Sequence, residues 1–511
     1  MSILRRLVQR GLDLKSRFAL DQPKAYDVQA NVLRKLIEKA QDTDFGKAHN
    51  FKELYFSSNI VEDFKKFVPI NNYSTMHPWW MQSYEGKENV CWPGKTTHFA
   101  LSSGTSEGAS KYIPVTKDML KSIKRASLGQ ILSIAKSELP KEFMTKHSLM
   151  VSGSTDLHFN GISYSGDLSG ITTGNIPFWF QAFSKPDKRT MKRRNWEEKI
   201  EEMVNEAHKW DVGMIAGVPA WIQILFEKII DKYKLQHIHE IWPNFKVYVH
   251  GGVAFGPYKK AFEKLLGEEI MYYETYLASE GFIAYQRRPY VEGMELQLNN
   301  GIFFEFVPFN TDNFTEDGNL KPEADAISIL EVEPNVEYAL LMSTVSGAWR
   351  YMIGDIVKFT SDQNMEIVIT GRTKHFLSLC GEHLSVDNMT RAVGLLADEL
   401  GINIPEFTVS GIPHKGMYAH HWFLAIEEDM DKAMLTEKLD NYLKQLNDDY
   451  GVERNHALHE IIVETVPNET FIGFLREKGK IGSQNKFPRV IKGEMYQDWK
   501  GFVERSRSAS A

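Results

Sequence analysis

Between residues 28 and 40 the apolar positions Val28, Val32, Leu33, Leu36, Ile37 and Ala40 keep helical spacing, with Arg34, Lys35, Glu38 and Lys39 between them. That spacing predicts a helix with one face in a core. The same periodicity predicts helices over Lys117 to Ile134, over 196–208 and over 219–234, the last with Trp221, Ile222, Leu225, Phe226, Ile229 and Ile230 on one side. Short apolar runs read as strands instead: Phe99-Ala100-Leu101, Lys246 to His250, Met271 to Tyr276, Ile302 to Pro308, Tyr338 to Ser343 and Ile367 to Ile369. A helix is also expected from about Pro257 to Leu266. Further on, helices at 386–400 and 430–448 alternate with strands around 406–411, 420–426 and 459–466, which reads as a smaller α+β domain.

A chain of 511 residues exceeds one core, so two or more domains are expected. Cys91 and Cys380, the only cysteines, stand far apart, which argues against a disulfide framework and a zinc cluster and for a reducing compartment. The formal net charge of -7 gives no general attraction to nucleic acid. A small anionic ligand bound locally fits better. Met1 to Leu20 carries Arg5, Arg6, Arg10, Lys15 and Arg17 among apolar residues and reads as an amphipathic helix packed on the protein's own body. Nowhere do 18 apolar residues run together, so the expectation is a cytoplasmic protein with no stable membrane association.

The candidate chemistry begins at Leu101-Ser102-Ser103-Gly104-Thr105-Ser106-Glu107-Gly108-Ala109-Ser110-Lys111. Hydroxyls and unhindered backbone N–H groups can converge there on a phosphate. The spacing is not that of a P-loop NTPase, because Gly104 and Gly108 enclose three residues and Lys111 precedes Tyr112. The alternative is a plain Ser/Gly surface loop. A second candidate is Gly251-Gly252 after the strand ending at His250; it faintly resembles a hydrolase oxyanion loop, but no Gly-x-Ser-x-Gly elbow exists to supply a nucleophile. A third is Ser279-Glu280, at the end of the strand through Tyr276, where α/β sheets place ligands.

Taken in order, Ser102-Ser103-Gly104-Thr105-Ser106, Tyr276-Leu277-Ala278-Ser279-Glu280-Gly281, Arg350-Tyr351-Met352-Ile353-Gly354-Asp355 and Gly371-Arg372 resemble the core motifs of acyl-adenylate-forming enzymes. With Phe304-Glu305-Phe306-Val307-Pro308, Ser346-Gly347-Ala348-Trp349-Arg350-Tyr351 and Gln484-Asn485-Lys486-Phe487-Pro488-Arg489, the chain is similar to the auxin-responsive acyl-acid amido synthetase family over roughly residues 25 to 495. Ala348, Trp349 and Met352 depart from the usual plant pattern around the Gly-Asp motif. A non-plant member is expected, and plant hormone substrates do not carry over.

The resemblance implies an α/β fold with a large multi-sheet adenylation domain over 1–370, a hinge over 371–376 and a smaller mobile α+β domain over 377–511. It implies ATP as substrate, AMP and pyrophosphate as products, Mg2+, and a small carboxylic acid and an amino acid as partners. Glu280 would hold the metal and Lys486 would act catalytically, because carboxylate attack on a phosphate brings two anions together and needs positive charge. Ser102, Ser103 and Thr105 would position phosphate oxygens, Asp355 the ribose hydroxyls, and Tyr276 would stack on adenine, with Gly251, Ser279 and Arg372 completing the nucleotide site. Arg350 and Arg372 each have an alternative as structural ion-pair partners. An acyl-CoA ligase and a non-catalytic adenylate-binding protein remain the competing functions.

Overall fold

The computed structural model describes residues 25–510 apart from 103–110, 141, 176–180, 253–254, 256–258, 260–261, 311, 316–317, 362, 374–375, 378–381, 383, 416, 455–456 and 479–486. The expected N-terminal amphipathic helix therefore lies outside the described residues, as do Ser103, Thr105, Lys486 and residues 257, 258, 260 and 261 of the segment expected to be helical from Pro257. The chain divides into two compact units, with the boundary between Thr373 and Lys374. Among the described residues no helix is long and apolar enough to cross a membrane.

The first unit is built on a sheet of eleven strands that changes character at Met271–Ala278. On one side of this strand lie Val247–Gly251, Val212–Ala216, His147–Met150 and Ser184–Lys185, all parallel to it. On its other side Gly281–Tyr285 pairs antiparallel, and Met294–Leu296, Glu366–Arg372, Tyr351–Ser361, Glu337–Thr344 and Ile302–Pro308 continue the sheet antiparallel. Parallel strands need crossovers, and the helices Trp196–Glu206 and Pro219–Tyr233 supply them. A separate four-stranded sheet places His98–Ser102 between Lys111–Val115 and Tyr164–Gly166, with His158–Phe159 at its edge.

Sequence periodicity becomes structure most directly in the helix Lys117–Ile134. Thr116 caps it, its hydroxyl accepting from the Met119 N–H at 3.1 Å and donating to the Val345 carbonyl at 2.6 Å. One hydroxyl thus satisfies an orphan donor and ties the helix to the sheet. The helix Ala25–Ala40 buries Val32, Leu33, Leu36, Ile37 and Ala40, the stripe the spacing marks out. Its buried Gln29 amide donates to the Leu298 and Ile302 carbonyls and accepts from the Phe304 N–H, fixing the helix on the antiparallel half.

Trp349 and Arg350 hold the N-terminal helices to that half. The Trp349 ring has no exposed surface and meets Phe51, Phe45, Trp92 and Phe64 at centroid distances of 4.7–6.4 Å. The two neighbouring residues that depart from the plant pattern, Ala348 and Trp349, are therefore core residues. Arg350 has a left-handed backbone (φ 41°) and sends its guanidinium onto the Glu305 carboxylate at 3.0–3.1 Å and onto the Lys65 and Val68 carbonyls at 3.2 and 2.8 Å. Of the two roles open to Arg350, this is the structural one.

The second unit pairs Phe407–His414 antiparallel and Leu458–Val466 parallel with the central strand Met417–Ala425. Gly493–Ser510, Val386–Leu400 and Lys432–Leu446 are its longest helices, and Phe423, Phe471, Phe474, Phe487 and Trp499 form an aromatic core. This is an α+β arrangement.

Breaking a buried ion pair leaves a charge without its partner, so Arg350→Met is expected to destabilise the first unit by about 3–5 kcal/mol. Glu305→Leu combined with Arg350→Met should cost clearly less than the two single changes added together. Urea denaturation of the three variants measures this, and full additivity would show that the pair is not coupled.

Candidate functional site

Strand pairing brings the dispersed motifs together. His98–Ser102 and Lys111–Val115 are antiparallel with Ser102 opposite Lys111, so the Ser/Gly stretch is closed at its base by this last rung. Phe99 and Ala100 are fully buried and anchor the incoming strand. Val247–Gly251 ends with Gly251 opposite Thr275. A β-carbon on Gly251 would lie 2.2 Å from the Thr275 carbonyl oxygen, so only glycine lets these two strands close at the carboxyl edge.

Tyr276 sits one residue further along, and Met271–Ala278 then turns through Ser279 and Glu280 into Gly281–Tyr285. Ser279 is half-buried in that turn. The Tyr276 hydroxyl donates to Asp355 Oδ2, while Arg372 Nε donates to Asp355 Oδ1 at 2.5 Å. Asp355 and Arg372 face each other across paired strands, and the preceding Gly354 takes a left-handed turn (φ 93°) whose carbonyl accepts from the Thr373 N–H at 2.8 Å. Asp355 thus has a partner at each oxygen and keeps further lone pairs for a ligand. Burial, reinforced by Asp355, pushes the Tyr276 phenol well above its ordinary range, so it stays a donor.

Glu280 is 6% exposed, and burial pushes its carboxyl up to about 7. Asp355 nearby raises it further, whereas the Lys111 ammonium and Arg372 oppose the shift. Near neutral pH this acid therefore stands at the balance point between protonated and ionised forms. A cation placed beside it would favour the ionised form.

Tyr276, Ser279, Glu280, Asp355, Arg372 and Gly251 all come from strands around the parallel-to-antiparallel change, or from the turn beside it. Ser102 ends a strand of the other sheet, next to Lys111. Arg350 is engaged with Glu305 instead. Tyr276, expected as an adenine platform, is 6% exposed and packs its ring in the apolar cluster with Phe304, Leu340 and Phe359, so its observed work is to hold Asp355. His250, next to Gly251, is buried against the Phe255 ring at 4.6 Å, and burial pushes its imidazole down to about 4, leaving it neutral. Lys111 is the residue that sequence reading passed over. Its signal was position alone, the first residue after the glycine stretch and so the natural rung opposite Ser102.

The chain matches the GH3 family N-terminal domain over residues 14–156 and 141–271, the GH3 family central domain over 296–371 and the GH3 family C-terminal domain over 387–494. It belongs to the GH3 family. Among curated relatives, the indole-3-acetic acid-amido synthetase GH3.2 of Arabidopsis thaliana is 29% identical over 220 residues, covering 40% of this chain and 39% of that protein. Indole-3-acetic acid-amido synthetase GH3.10, also from Arabidopsis thaliana, is 22% identical over 521 residues, 85% of this chain and 87% of the relative. The stronger sequence matches are partial: the chain spans less than half the length of GH3.2 and of GH3.4, at 39% and 45%.

Two solved structures have the same fold. AtGH3.15 acyl acid amido synthetase in complex with 2,4-DB superposes with a TM-score of 0.59 at 16% identity, covering 97% of this chain and 96% of that one. A 2-hydroxyisobutyryl-CoA ligase reaches the same TM-score at 14% identity, covering 96% and 94%. At such identities the likeness concerns architecture, which GH3 members share with a thioester-forming ligase. The α/β fold with a large multi-sheet N-terminal region and a smaller C-terminal α+β unit agrees with the sequence expectation.

The raised Glu280 carboxyl has a consequence for stability. The folded protein holds a proton that the unfolded chain, with a carboxyl near 4.5, has already released, so stability falls as pH rises from about 5 to 7 and the deficit is complete above that. Ligand-free Glu280→Gln protein is expected to lose this slope and to be the more stable of the two at pH 8, by on the order of 3 kcal/mol at most. Denaturation curves for both proteins at pH 5 and pH 8 provide the check, and an unchanged slope in the variant would reject the assignment.

Proposed function

We propose that this GH3 member uses ATP to adenylate a small carboxylic acid and then passes the acyl group to the amine of an amino acid. The observation that carries the reading is the Tyr276–Asp355–Arg372 cluster beside buried Glu280, gathered where the sheet changes from parallel to antiparallel. Family membership supports the amide product, since the named relatives are amido synthetases. The acyl-CoA ligase alternative shares the fold but lacks that support.

In the first half-reaction a carboxylate oxygen attacks the α-phosphorus of ATP, the bond to pyrophosphate breaks, and an acyl adenylate forms. Ser102, Ser103 and Thr105 would hold phosphate oxygens, with Lys111 and Lys486 offsetting their charge. Asp355, fixed by Tyr276 and Arg372, would accept hydrogen bonds from the ribose hydroxyls, and the Gly251 backbone at the strand end would meet the nucleotide. Among the described residues no three metal-ligating side chains form a cage. Glu280 as a single buried carboxylate nonetheless fits Mg2+, which takes one or two carboxylates together with substrate phosphates. When bound, the ion would screen the repulsion between the two anions.

In the second half-reaction the amine nitrogen attacks the acyl carbonyl, AMP leaves and the amine gives up a proton. A hinge within 371–376 would reposition the second unit between the steps. Gly371 and Arg372 are rungs of the strand pair with Ile356 and Asp355, so the bending belongs after Thr373.

Pyrophosphate release across a panel of carboxylic acids, with ATP and Mg2+, tests the first half-reaction. Mass analysis after adding either amino acids or coenzyme A tests the second. Amide is the expected product, and thioester with no amide at any amino acid tried would overturn the reading. Glu280→Gln should lower adenylation about 10²- to 10³-fold while remaining folded. Lys486→Ala should impair adenylation yet leave transfer from a supplied acyl adenylate largely intact, and equal loss in both steps would reject its assigned role.

A further inference from the structure

The strand that ends at Ala278, two residues before Glu280, begins about 23 Å away at the usual rise per residue, beside a cavity of about 470 Å³. Met271 forms part of its floor, and its walls carry Lys136, Arg287, Arg288, Glu138 and Tyr290. The volume suits a small molecule. Three of these side chains are cationic and one is acidic, so N–H donors outnumber carboxylates on the lining itself, the carboxylate partners of the two arginines standing outside it.

The arginines are held in place from behind. Arg287 bonds Glu295 through Nε at 2.8 Å, and the Tyr285 hydroxyl also contacts it. Arg288 bonds the buried Glu366 carboxylate through one terminal nitrogen at 2.8 Å. Each guanidinium thus spends one edge on a fixed carboxylate and keeps other N–H donors for something else, a pre-oriented fork of the kind that takes phosphate in paired hydrogen bonds. Lys136, exposed after the end of Lys117–Ile134, adds a point charge.

Tyr290 completes the case. It is 75% exposed and held in a left-handed backbone (φ 63°), so it neither packs in the core nor adopts the relaxed conformation of an ordinary surface tyrosine. An aromatic ring kept at the rim of a cationic cavity provides a stacking surface for a planar group.

We propose that this cavity is a second ligand site, separate from the reaction centre, for a small phosphorylated molecule with a planar ring. Arg287 and Arg288 take the phosphate, Lys136 stands within reach of the bound molecule, and Tyr290 covers the ring.

Pyridoxal 5′-phosphate is a suitable probe, because it joins both chemical features to an aldehyde. Its aldehyde condenses with a lysine amine with loss of water, and added borohydride reduces the imine to a stable amine that peptide mass analysis can locate. On the whole protein, Lys136 is expected to be modified at least about tenfold faster than an exposed lysine such as Lys234, whose side chain is 81% exposed. Excess inorganic phosphate should remove that preference. Arg287→Gln should reduce the rate at Lys136 about tenfold, and Tyr290→Ala, at an exposed position where folding is not in question, several-fold. Modification of Lys136 no faster than Lys234, or rates unchanged by both substitutions, would overturn the proposal. The readout does not depend on turnover, so its failure and that of the proposed ligase activity are distinguishable.

Discussion

A buried carboxylate must be partnered or give up its charge, and that constraint organises the first unit of this protein. Two carboxylates at the site meet it in opposite ways. Asp355 is satisfied on both sides by Tyr276 and Arg372, whereas Glu280 is pushed toward its neutral form. A third, Glu305, is satisfied by Arg350 and does structural work. These outcomes follow from what the neighbouring elements bring opposite each acid, since the three carboxylates are chemically alike.

The change from parallel to antiparallel pairing at Met271–Ala278 makes this possible. The parallel side delivers the ends of several strands to one edge, and the antiparallel side folds back so that Asp355 and Arg372 arrive at the same place from much later in the sequence. Gly251 is the tight point on the parallel side. Its missing side chain is required by the Thr275 carbonyl before any ligand is considered.

Much of this was legible from periodicity. The helix expected over Lys117 to Ile134 occupies those residues, and the strands around Phe99, Met271, Ile302 and Ile367 are present, as are those of the second unit. The helix Tyr73–Tyr84 was not anticipated, because aromatic residues surround it on all sides and Pro78 interrupts the pattern; a capping box between Asn72 and Thr75 starts it. The site was legible as a set of motifs but not as a set of contacts. Nothing local says that Tyr276 gives its hydroxyl to a residue 79 positions away, or that Arg350 is spent on Glu305. Such pairings depend on register, which single-sequence patterns do not carry. Trp349 shows the same limit: it stands beside a site motif and belongs to the core.

The rung joining Asp355 to Arg372 is separated from the unit boundary by Thr373 alone. The chain thus leaves the first unit one residue after the side chain that steadies Asp355. Any torque passing back along the chain is resisted first by the Thr373–Gly354 hydrogen bond and then by the ladder behind it. The stiffness of this strand pair in the first unit thereby shields the carboxylate from strain that enters through Thr373.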